Sequence, residues 1–152
     1  MRRKQFRSIL FAITATLASY LGLANPLDPA VVLNKINIPE NMIISEIENN
    51  SEEKIILKAG NEKYGMNHIL QRHSKNYFTN KSLKGIPFPE GTSGIQIIEG
   101  IEQVYKFGEK DPKGRGNTKV LKHQLSLNGE QSNYRLVINE ENEVITFYKL
   151  RK

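Results

Sequence analysis

Two of the chain's three histidines, His68 and His73, stand five positions apart in YGMNHILQRHSKNYF, with Arg72 between them and Lys75 just beyond. Histidine changes charge near neutrality, so a pair can offer a neutral base and a protonated acid at the same time. On a helix turning about 100° per residue, His68 and Arg72 share a side, whereas His68 and His73 are separated by roughly 140°. Two histidines chelating one ion from a single helix need i, i+4 spacing with further acidic or thiol ligands nearby, so this spacing disfavours zinc. If the helix ends near His73, both rings border a groove beside that terminus and the natural cargo is a proton. No cofactor is expected.

Metal-free cleavage of RNA needs this pairing. A base takes the proton of the ribose 2′-OH, an acid protonates the leaving 5′-oxygen, and cations stabilise the extra charge of the phosphorane. Arg72, Lys75, Arg115, Lys119 and Lys122 are the cation candidates. DNA lacks the 2′-OH and is spared. Each piece also has a purely structural reading. His68, beside Met66 and Ile69, suits a core histidine bonded to a carbonyl, and His123 shares a strand face with Leu121, Leu125 and Leu127. Lys113-Gly114-Arg115-Gly116 suits a solvated turn, and Thr146 and Tyr148 are ordinary strand residues.

Residues 1–24 read as a signal peptide, with basic MRRKQFR followed by apolar SILFAITATLASYLGLA and small residues at Gly22 and Ala24. The rival is a retained anchor, for which this stretch sits at the short limit. Cleavage leaves no stable membrane insertion and lowers Lys plus Arg from 22 to 18 against 16 acids, a mature charge of +2 rather than +6. The remaining basic charge is concentrated. Residues 63–84 carry five bases and no acid, and 105–123 carry six bases and two acids, so two blocks converging on one cleft would make an anion site. Cysteine is absent, which excludes disulfides, thiol nucleophiles and Cys-ligated zinc.

The elements that must position these residues follow from pattern. Asp28-Pro29 opens a short helix through VVLNKI, closed by Pro39. MIISEI and KIILKA read as a strand pair or a strand and a helix end, and these segments with the first helix, or a linker, occupy 25–59. MNHILQRHSKNYF is helical, and 79–92, with two prolines and two glycines, is a loop. Ser93 with Gln96 signals a capping box for a helix ending near Gly108, and 109–117 reads as a polar loop. TKVLKHQLSL, SNYRLVI and EVITFYKL then form an antiparallel meander, with Asn128-Gly129 and NEEN as its turns. Strict alternation places Val144, Thr146, Tyr148 and Leu150 on one face of the last strand. The fold class is α+β, with N-terminal helices packed on a C-terminal three- to four-stranded antiparallel sheet.

GMNHILQRH, a following helix, a basic glycine loop and a terminal meander ending VITFYKL together resemble the barnase, EndoU, colicin and RelE ribonuclease superfamily of secreted or contact-delivered bacterial toxins. The resemblance covers residues 60–152, the nuclease-like domain. It implies metal-independent endoribonuclease activity, often on transfer RNA, in a cleft over the sheet. It implies that the helix-borne element falls on His68, Arg72 and His73, the cationic position on Arg115 or Lys122, and the hydroxyl positions on Thr146 and Tyr148. Lys75, Arg115 and Lys122 would bind the RNA. The expected setting is secretion or the periplasm, action in a target cell's cytoplasm, and neutralisation by an acidic immunity protein that matches the basic blocks. Two other classes fit the same residues: a non-catalytic exported protein binding an acidic partner or nucleic acid, and a metal-free hydrolase or phosphodiesterase acting on a small substrate.

Overall fold

The structure, a computed structural model, describes residues 28–35, 37–74, 85–114 and 116–151. The expected signal segment, Lys75 and Arg115 lie outside these residues. The described chain is α+β, and its elements run α1 (Pro29–Lys35), β1 (Ile43–Glu48), β2 (Lys54–Lys58), α2 (Gly65–His73), α3 (Gly94–Phe107), β3 (Glu109–Lys110), β4 (Lys119–Leu127), β5 (Glu130–Ile138) and β6 (Val144–Lys149). β1 and β2 form an antiparallel pair, so the strand-pair reading of that segment holds. The C-terminal strands form an antiparallel sheet in the order β3-β4-β5-β6.

Capping chemistry sets where the helices begin. Asp28 accepts a hydrogen bond from the Ala30 N–H at 2.9 Å through Oδ1, and both carboxylate oxygens accept from the Gly94 N–H, at 2.8 and 2.9 Å. One carboxylate therefore ties the starts of α1 and α3 together. A Cβ at Gly94 would lie 2.3 Å from Asp28 Oδ1, so only glycine lets the backbone approach. The Ser93–Gln96 capping box closes in both directions, at 3.1 and 2.8 Å, satisfying two N–H groups that the helix leaves open. α2 starts without a side-chain cap, and the Ala59 carbonyl at the end of β2 accepts from the Asn67 N–H at 2.8 Å instead.

α3 lies across one face of the sheet, burying Ile97, Ile101 and Val104 with Leu125, Leu127, Leu136 and Phe147 in one apolar cluster. α2 packs beside β6 and contributes Met66, Ile69 and Leu70 to that cluster. Asn128 and Gly129 both have positive φ, 49° and 81°, the geometry of a tight two-residue hairpin turn, and this turn fixes the β4–β5 register. Lys122 accordingly pairs with Arg135, and Gln124 with Asn133, on the face away from α3.

Three expectations need correction. The helix read over MNHILQRHSKNYF closes at His73, where Ser74 takes an extended backbone, and residues 75–78 lie outside the described ones. Glu109 and Lys110, read from sequence as loop, form a short edge strand opposite Lys122 and Leu121. β6 does not alternate strictly, because Val144 pairs with Ile138 while Thr146 pairs with Val137. The extra residue makes a bulge. Val144 and Phe147 therefore both enter the core, while Thr146 and Tyr148 face the other way.

Tyr134 sits at the centre of this core, stacked on Phe88 and Phe147 with ring centroids 6.1 and 5.2 Å away. Its hydroxyl is buried without a hydrogen-bond partner among the described residues, and burial pushes its pKa up to about 12. An unsatisfied buried hydroxyl costs roughly 1–3 kcal/mol. Tyr134→Phe is therefore expected to raise the thermal unfolding midpoint; a lowered midpoint would show that the hydroxyl is satisfied after all.

Candidate functional site

On the face away from α3, Glu109, Lys122, Arg135 and Tyr148 form one cross-strand row over β3, β4, β5 and β6. Two cations directly opposed on neighbouring strands repel, so the Lys122–Arg135 pair requires negative charge nearby. Asp111, just after β3, supplies it. Its Oδ2 accepts from Arg135 Nε at 2.9 Å and lies 2.8 Å from Nη2. Arg135 Nη1 in turn donates to the Tyr148 hydroxyl at 2.9 Å. The guanidinium thus has a carboxylate at one edge and a phenol at another, while its plane approaches the Tyr148 ring at 5.7 Å.

This network shifts the two ionised partners in opposite directions. The Asp111 carboxyl is held below its usual range, first by the Lys113 backbone N–H that its Oδ1 accepts at 3.0 Å and then by Arg135, against the opposing effect of burial. Burial alone would lower the Arg135 pKa, but the bonds to Tyr148 and Asp111 outweigh it and the guanidinium is held more firmly protonated.

His73 reaches this row from the end of α2. It is buried, and its imidazole stacks on Tyr148 with centroids 5.3 Å apart and planes 23° from parallel. Phe88 meets the ring edge-on at 6.2 Å, and the Phe88 N–H donates to the His73 carbonyl at 2.8 Å. Main chain and ring are therefore both located. His68 stands edge-on to His73 at 6.0 Å. Its Nδ1 lies 2.7 Å from the Glu62 carbonyl, which can only accept, so Nδ1 carries the hydrogen and Nε2 is the basic nitrogen of the neutral ring.

A hollow of about 490 Å³ opens over this face. Among the described residues, Lys113, Lys122, Arg135, Lys149 and Arg151 line it with His73 and Tyr148, against the single carboxylate of Asp111. Lys149 is engaged outside it by Glu130. Cations around a concave, partly desolvated surface attract anions more strongly than the same charges spread over a convex one.

Of the residues singled out from sequence, the hollow brings together His73, Tyr148 and Lys122. His68 stands behind His73 and does not line the hollow. Arg72, half-buried on α2, is also absent from its walls. The Thr146 hydroxyl shares the face of Tyr148 but is buried without a hydrogen-bond partner among the described residues. Sequence reasoning missed Arg135 and Asp111. The signal for Arg135 was present: a two-residue turn at Asn128-Gly129 requires position 135 to face position 122, and opposed cations demand an anion.

Among the described residues no three His, Cys, Asp or Glu side chains converge on a common point, and no helix is long and apolar enough to cross a membrane. No protein-family model matches the chain, and no curated protein sequence matches it.

Because the Asp111 carboxyl is depressed in the fold, its contribution to stability is present above the unfolded value near pH 3.8 and is lost as pH falls through the folded value. Asp111→Asn should lower the unfolding midpoint at pH 7, and the gap to the parent chain should close below the usual carboxylate range. An unchanged midpoint at pH 7 would show that Arg135 does not depend on Asp111.

Proposed function

We propose that this chain is a metal-independent endoribonuclease that cleaves RNA by attack of the ribose 2′-oxygen on the adjacent phosphorus. The observation that carries this reading is the hollow in which one imidazole, one phenol and several cations surround a space open to solvent. A phosphodiester seated there has Arg135 and Lys122 beside its non-bridging oxygens, where charge grows in the phosphorane. Among the described residues the one carboxylate, Asp111, is committed to Arg135, so the donor set suits an anion better than a divalent cation.

Proton transfer divides between His73 and Tyr148. His73 accepts the 2′-OH proton as the 2′-oxygen bonds to phosphorus. Tyr148, whose oxygen already accepts from Arg135, keeps its own hydrogen for donation. It passes to the 5′-oxygen as the P–O5′ bond breaks. The products are a 2′,3′-cyclic phosphate and a 5′-hydroxyl. His68 acts through His73: tied to Glu62, it holds the ring edge against which His73 is oriented. Export, a transfer RNA target and an acidic immunity protein covering the cationic hollow belong to the same proposal, and steep weakening of RNA binding with salt accompanies it.

The test is cleavage of total RNA by the 152-residue chain in excess chelator. His73→Gln, close in size to the native residue, should lower kcat by roughly 10²- to 10⁴-fold. RNA left intact by the parent chain contradicts the ribonuclease reading; RNA bound with a steep salt dependence but never cut favours the binding-protein reading instead. The acid role has its own signature. Tyr148→Phe should slow cleavage of RNA by roughly 10²-fold or more yet have much less effect on a ribonucleoside 3′-(4-nitrophenyl phosphate), whose leaving group needs no proton. Equal loss on both substrates would remove Tyr148 from the acid role.

A further inference from the structure

We infer that a second hollow, at the β4 edge of the sheet beside Phe107, is a subsite for one unpaired nucleobase. The inference rests on the ribonuclease reading for where the neighbouring phosphate lies, while base binding itself does not require turnover. Phe107 is the last residue of α3 and is 60% exposed, the most exposed large apolar side chain among the described residues. A lone exposed phenylalanine needs no explanation. Its surroundings do.

The Phe107 ring lies 6.3 Å from that of His123 with the planes 38° apart, so two aromatic rings border one opening. That opening, about 450 Å³, is also lined by Gln124 and Asn133, directly opposed on β4 and β5. Each amide presents both a donor and an acceptor, which suits the mixed edge of a base. The opening shares Lys122, Leu150 and Arg151 with the hollow that holds His73. β3 pairs with β4 only at Leu121 and Lys122, so the opening runs round the β4 edge from Phe107 and His123 on the α3 side to the shared Lys122, and the two hollows adjoin there. Ring, amides and adjoining cations are what a single-stranded nucleotide offers partners to: a π-face, a polar edge and a phosphate. A duplex keeps its bases stacked inside and cannot use the first two. The occupant is therefore an unpaired base of an RNA strand.

The probe is a labelled single-stranded 2′-O-methyl hexanucleotide, which cannot be cut through its blocked 2′-oxygens, compared with an abasic strand of the same length. The full chain should bind the base-bearing strand more tightly. Phe107→Ala should weaken that binding roughly 5- to 150-fold and leave the abasic strand unaffected. Phe107→Tyr should retain binding, and Phe107→Leu, apolar but without a π-face, should behave as Phe107→Ala. Because Phe107 is exposed, these variants keep the fold. Equal affinity of parent and Phe107→Ala for the base-bearing strand, or no binding of it, overturns the subsite and points to a protein partner at Phe107. Base-dependent binding by a chain that leaves RNA uncut keeps the subsite and rejects the ribonuclease. RNA cut at an unchanged rate with no effect of Phe107 does the reverse.

Discussion

Lys122 and Arg135 face each other across a single strand gap, an arrangement that repels unless an anion is close. Asp111 answers half of that requirement by holding Arg135, and Glu109, opposite Lys122 at the sheet edge, offsets part of the rest. The remaining positive potential looks into the hollow. The same Asp111–Arg135 pair fixes the Tyr148 hydroxyl, and the Tyr148 ring is the surface on which His73 lies. A chain of contacts therefore runs from a carboxylate at the end of β3 to an imidazole at the end of α2, and each member is located by the one before it.

The core reaches the same imidazole from the opposite direction. Tyr134 and Phe147 stack on Phe88, and Phe88 touches His73 through both its ring and its N–H. His73 is held between a polar network and an aromatic core, which restricts its rotamers before any ligand arrives. Pre-organisation of this kind lowers the reorganisation that a charged transition state would otherwise demand. It also explains why the helix ends where it does: the His73 carbonyl is satisfied by Phe88 rather than by another turn of α2.

Much of this architecture was legible in the residues because it depends on local chemistry. The Ser93–Gln96 box, the Asp28-Pro29 helix start, the Asn128-Gly129 turn and the gathering of His68 and His73 near the end of one helix all follow from neighbours in sequence. What escaped notice depends on partners distant in the chain. Arg135 gains meaning only when paired with Lys122 and bonded to Asp111, and the bulge in β6 arises from its pairing with β5, so no periodicity within VITFYKL reveals it. Arg72 stood out as the cation nearest the histidines in sequence. A helix, however, turns neighbours in sequence toward different surroundings, and the cations that line the hollow come from the sheet and its flanking segments.

The central claim is that the row of cations, phenol and imidazole seats a phosphodiester whose own ribose supplies the nucleophile. A DNA oligonucleotide carrying a single ribose isolates that claim, because every phosphate is the same and only one has a neighbouring 2′-OH. Incubated with the chain in excess chelator and resolved by mass, it should yield one cut, on the 3′ side of the ribose, with a 2′,3′-cyclic phosphate on the upstream fragment. Cuts at deoxynucleotides, or a linear phosphate formed with no cyclic precursor, would contradict the account.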